Sequence, residues 1–195
     1  MAPQDALEPE REVRSQAYSA EKRELGRAAA AYVRPGSTIL VTGGTTTQAL
    51  VPFLGDVPDL TVVTNSLPIA AALAHHETVA TVVLGGYLRH QEMSLLGHLT
   101  RQALEELSID RAFVSAYGIS RTGLTGAHVN EADTDRHLLS AAAEVAVLAD
   151  GSKFGRGGPV RIAGPERLTY VFTDASAPEE ELAALRERGV EVVRV

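Results

Sequence analysis

Two glycines followed by three threonines, Gly43, Gly44, Thr45, Thr46 and Thr47, form the stretch of this chain best suited to holding an anion. They stand inside STILVTGGTTTQAL, Ser37 to Leu50, where five β-branched and aliphatic residues give way to glycine and then to an apolar helical pattern at Ala49, Leu50, Phe53 and Leu54. The first N–H groups of a helix have no partner inside it, and the helix dipole favours negative charge there. Glycine lets a backbone approach a bulky ligand, and the threonines add hydroxyl donors, so phosphate is the natural guest. The same residues also describe an ordinary strand-to-helix turn with a threonine N-cap. Neither a P-loop nor the G-x-G-x-x-G fingerprint is present.

Two further groups are candidates. Lys153, in ADGSKFG, is one of only two lysines among 18 basic residues and follows an apolar strand pattern. A lysine at a strand's carboxyl end can meet a phosphate as a point charge, although a solvated loop lysine reads the same way. Glu131 follows Asn130 at the start of a helical pattern, where it suits either a ligand or simply the helix dipole, with Asn130 as cap.

Other chemistries find little support. The six histidines show no metal-binding spacing, and no metal or cofactor is expected. There is no G-x-S-x-G elbow and no catalytic residue is assigned. With no cysteine, disulfides and thiolate chemistry are out of reach. A net charge of −7 without a basic run gives nucleic acid no electrostatic footprint. No run of 18 apolar residues calls for a membrane, and a cytoplasmic location is expected.

These residues need a frame. A chain of 195 residues, 45% hydrophobic and 22% charged, suits one domain that buries about 70% of its unfolded surface. The charged, proline-spaced N-terminus reads as a tail or linker over residues 1–20, with the domain proper over 21–195. Helical patterns cover Glu21 to Val33, Leu67 to His75, Gly97 to Leu107 (with Leu99, Ala103, Leu104 and Leu107 inward), Asn130 to Ala143 and Pro178 to Arg188. Between them lie apolar strands at Leu60 to Ser66, Val79 to Gly86, Asp110 to Gly118, Glu144 to Asp150, Leu168 to Asp174 and the final VEVVRV, with a glycine-rich loop from Ser120 to Val129. Strands apolar throughout and alternating with helices predict an α/β fold, a mostly parallel sheet flanked by helices. Leu40, Val62, Val83, Phe113, Val147 and Val171 are expected to be buried in it. Ligands of such folds sit beyond the strands' carboxyl ends, where the glycines and polar residues gather.

Taken in order, EKRELGRAAAAYVRPGSTILVTGGTTTQAL, LTVVTNSLPIA, VVLGGYLR, SLLGHL, DRAFVSAYGIS, NEAD and LADGSKFGR resemble the effector-sensing domain of the DeoR family of bacterial transcriptional repressors, over about Glu21 to Asp174. The resemblance implies a fold similar to ribose-5-phosphate isomerase, a phosphorylated sugar or related metabolite as effector, homo-oligomer formation and a role in regulating carbohydrate metabolism. By position it places Thr45, Thr46 and Thr47 at the phosphate, Glu131 at sugar hydroxyls and Lys153 at a charged group. Gly43, Gly44, Asn65, Gly86 and Arg89 fall in matching motifs. DNA would be met only through a winged helix-turn-helix domain, which does not precede Glu21 in this sequence. In the family an Asp-Ser pair usually precedes the glycine-threonine turn, where this chain has Thr42-Gly43, a pocket less negative by one carboxylate. The alternative on the same fold is a sugar-phosphate isomerase. It would need a base and acidic partners, and Tyr117, Gly118 and Ile119 offer none after the fourth strand, leaving Glu131.

Overall fold

The computed structural model describes residues 10–195; the first part of the expected tail, residues 1–9, lies outside them. Two helices, α1 (Arg11–Gln16) and α2 (Ser19–Ala30), lead into β1 (Thr38–Val41). One turn of helix, α3 (Thr45–Gln48), then a 3-10 turn at Val51–Phe53, connects to β2 (Thr61–Thr64), α4 (Leu67–Leu73) and β3 (Ala80–Val83). A hairpin of β4 (Tyr87–Arg89) and β5 (Ser94–Leu96) precedes α5 (His98–Glu105) and β6 (Ile109–Ser115). A second hairpin, β7 (Gly118–Ser120) with β8 (Gly123–Gly126), leads to α6 (Val129–Ser140) and β9 (Ala142–Leu148). The chain closes with β10 (Val160–Ala163), β11 (Tyr170–Thr173), α7 (Glu179–Glu187) and β12 (Glu191–Arg194).

Seven strands form one sheet in the order β12-β11-β9-β6-β1-β2-β3, and every pairing in it is parallel. Strand residues alternate between its faces, as the two-residue period requires. Ile39, Val41, Val62, Phe113, Leu148 and Phe172 pack with Leu25 and Ala29 of α2 on one side. Leu40, Val63, Val114, Val147 and Val171 pack with Leu138 of α6 and Leu182 of α7 on the other. Both faces are covered, which is why the strands read as unbroken apolar runs. Among the described residues no helix is long and apolar enough to cross a membrane.

Several expectations need correction. Val83 is 45% exposed because β3 is the sheet's edge strand. Leu99 is 52% exposed, its inward place on α5 taken by Thr100. The segment read as tail is helical from Arg11, and α2 begins at Ser19. The glycine-rich loop after Ser120 is the β7–β8 hairpin, and β10 joins β8 to complete a three-stranded sheet. Helix α6 starts one residue earlier than expected, with His128 rather than Asn130 at its N-cap.

Candidate functional site

Strands β1, β2 and β6 end side by side, and their following residues enclose a cavity of about 130 Å³ lined by Thr42, Gly43, Gly44, Asn65 and Ser115. The glycine turn is built by hydrogen bonds. Gly43 N–H donates to Asn65 Oδ1 at 3.2 Å, and Asn65 Nδ2 donates to Leu95 O at 3.2 Å, tying the turn to the β4–β5 hairpin. Thr47 Oγ1 donates to Thr42 O at 2.8 Å, and Thr47 N–H donates to Ser115 Oγ at 3.2 Å. Gly44 must be glycine: a Cβ there would stand 2.2 Å from Ser115 Oγ and 2.6 Å from its Cβ. The N–H groups of Gly44, Thr45 and Thr46 carry no hydrogen bond to a described residue, which is the donor set an anion needs.

Charge enters from the hairpin and from α6. Arg89 Nε lies 2.6 Å from Glu131 Oε1, and its guanidinium is 4.0 Å from Glu92. Glu92 also pairs with Arg14 of α1. Asp135, one helical turn beyond Glu131, lines the same cavity with His128. Burial pushes the Asp135 carboxyl up to about 7, against the pull of Arg89 and Arg136.

Of the residues singled out in the sequence, Gly43, Gly44, Asn65, Arg89 and Glu131 come together on the cavity wall. Thr45, Thr46, Thr47, Gly86 and Lys153 do not line it. Thr47 is fully buried with its hydroxyl turned to backbone carbonyls. Gly86 meets α5, where a Cβ would stand 2.4 Å from Thr100 Oγ1. Lys153 closes the short turn after β9, on a hydrogen bond from its N–H to Asp150 O, and its positive charge is felt at Lys22. Arg14 and Arg89, not Lys153, supply the positive charge of the wall.

Sequence reasoning missed Arg14, Glu92, Ser115, His128 and Asp135. The four-residue spacing of Glu131 and Asp135 on one helix face was the readable signal. Arg14 stood in a segment taken for linker, and Glu92 in a hairpin whose turn no residue pattern announces. The carboxylate count also changes: Glu92 and Asp135 join Glu131, so a lack of acids no longer argues against catalysis. Among the described residues no three His, Asp or Glu side chains converge as a metal site.

The cavity lies at the carboxyl ends of a doubly covered parallel sheet, the place where folds of this kind bind their ligands. Residues 17–175 match the DeoR C-terminal sensor domain, and the chain belongs to that family. It is 30% identical over 191 residues to the putative aga operon transcriptional repressor of Escherichia coli O157:H7, covering 97% of this chain and 71% of that one. It is 28% identical over 173 residues to the glycerol-3-phosphate regulon repressor of Escherichia coli strain K12, covering 88% and 69%. Ribose 5-phosphate isomerase A from Methanocaldococcus jannaschii shares the fold, with a TM-score of 0.53 at 19% identity over 71% of this chain. This chain spans only 55% of that enzyme, and the likeness concerns the fold alone. Because the relatives are named repressors, the chain is a regulator's sensor domain and not an enzyme.

Proposed function

We propose that the chain senses a phosphorylated sugar or related metabolite for a bacterial regulator of carbohydrate metabolism, and that this cavity is the effector site. The observation that carries the reading is the cavity's division of labour. The open N–H group of Gly44 and the two arginines suit a phosphate. Glu131 and Asp135, four residues apart on α6, suit a sugar's hydroxyl donors. The name of the glycerol-3-phosphate regulon repressor lends the anionic effector further support. Effector binding would favour one conformation by its differential affinity and pass that bias to a DNA-binding domain outside these 195 residues. The regulator would act in the cytoplasm as a homo-oligomer.

A thermal-shift panel tests this. Ribose 5-phosphate, glucose 6-phosphate, fructose 6-phosphate and glycerol 3-phosphate are each compared with the unphosphorylated form. A ligand at a hundredfold excess over Kd stabilises by about 2.7 kcal/mol, several degrees in a chain of this size. At least one phosphorylated compound should give such a shift while its counterpart gives none. Equal shifts within every pair, or no shift at all, would sink the reading.

A further inference from the structure

Helix α1 contributes no buried residue, so apolar packing does not hold it in place. Polar contacts do. Arg11 donates to Gln48 Oε1 at the end of α3, and Arg14 pairs with Glu92 beside the cavity. Lys22, 5% exposed on α2, donates through Nζ to Arg14 O and, at 2.8 Å, to Ala17 O, a cation at the carboxyl end of α1 where the helix dipole favours one. Arg14 thus lies on the cavity wall although it precedes residues 17–175, the part matched by the sensor family. Its partner Glu92 is within reach of a second cation, Arg89 at 4.0 Å, so Glu92 keeps a counter-charge if Arg14 turns away.

We infer that Arg14 is a ligand-binding residue: its guanidinium exchanges Glu92 for the anionic group of the effector. This rests on the phosphorylated-effector reading above. The exchange replaces one carboxylate by a phosphate at the same guanidinium, so no cation is left unpaired. Because α1 is held by polar contacts alone, a new partner for Arg14 changes how α1 sits on the body. Occupancy of the cavity is then felt in the segment that precedes the sensor core.

The probe is whichever phosphorylated compound of the panel gives the largest shift, titrated calorimetrically into wild type, Arg14→Gln, Arg14→Lys and Glu92→Gln. Losing a charge-assisted hydrogen bond should make Arg14→Gln bind about tenfold to a hundredfold more weakly, with Arg14→Lys in between. Glu92→Gln, which removes the competing carboxylate, should bind more tightly than wild type. Opposite signs identify ligand contact; if Arg14 only held Glu92 in place, both changes would weaken binding. The chain has no cysteine, so a dye on Ser15→Cys reports on α1 alone. Its emission should respond to the phosphorylated probe and not when Arg14→Gln is added. Circular dichroism melting confirms that each variant is folded. If wild type prefers the phosphorylated probe but Arg14→Gln binds it equally well, the inference fails and the effector reading stands. If wild type shows no such preference, both fail.

Discussion

At the scale of single residues, Asp135 is the carboxyl of the cavity wall whose protonation changes near neutrality. With its carboxyl up near 7, it is largely protonated in mild acid and ionised above neutrality. Arg14, Arg89, Glu92 and Glu131 on the same wall amount to two positive and two negative charges, so ionised Asp135 tips that balance to negative. Wild-type affinity for a phosphorylated sugar, divided by that of Asp135→Asn, should therefore fall as pH rises from about 6 to about 8.5. Taking the ratio removes the ligand's own titration, whose second pKa is about 6 for a phosphate ester. A flat ratio would show that Asp135 does not titrate in the cavity. The same shift bears on stability. The folded value lies above the ordinary 3.8, so the folded state binds more protons between about pH 4 and 7, and stability declines as pH rises through that window. Asp135→Asn should remove that part of the slope.

At the scale of elements, the turn between β1 and α3 is where sequence and structure agree on place and differ on means. The helix expected to supply a dipole is only one turn long, Thr45–Gln48. Thr47 holds the turn by closing onto Thr42 O and Gly44 O. Thr47→Val keeps the shape and removes the donor, leaving buried carbonyls short of a partner at about 1–3 kcal/mol. Its melting temperature should drop by several degrees. Thr45→Val, on the half-buried first residue of the same turn, should melt within the range of an ordinary surface change. Equal melting of the two variants would mean that the Thr47 hydroxyl is not what fixes the turn. The strands were legible because both sheet faces are covered, and Gly44 because turn chemistry is local, whereas Asn65 was reached only through the family resemblance. Other features depend on long-range neighbours. A helix held by charge, such as α1, has no apolar period to betray it, and Val83 on an edge reads like Val63 in the middle. Which way the Thr47 hydroxyl points, and that Glu92 meets Arg14, are facts of tertiary contact.

At the scale of the whole molecule, the edge of the main sheet carries exposed apolar side chains that the core does not explain. Val82 and Val83 lie on the unpaired edge of β3, and the chain runs from there through Gly85-Gly86 to the exposed Tyr87. The hydroxyl of Thr100 on α5 donates to Gly85 O at 2.6 Å, and the preceding Leu99 is exposed. An edge strand with apolar side chains is a template for pairing, and monomeric proteins usually blunt such edges with charge or proline. The only charged residue of the β3–β4 stretch from Ala80 to Arg89 is Arg89 itself, which is turned to the cavity. The homo-oligomer expected from the family resemblance would find its contact here. Burying one valine or larger apolar side chain contributes about 1.5–3 kcal/mol, so introducing a lysine in its place should weaken association at least tenfold. Val83→Lys and Tyr87→Lys should therefore shift sedimentation velocity profiles toward monomer over a dilution series. Each variant should melt close to the wild-type monomer, since these side chains support nothing in the core. The arrangement is refuted if wild type sediments as a monomer throughout the series, or if both variants associate as tightly as wild type.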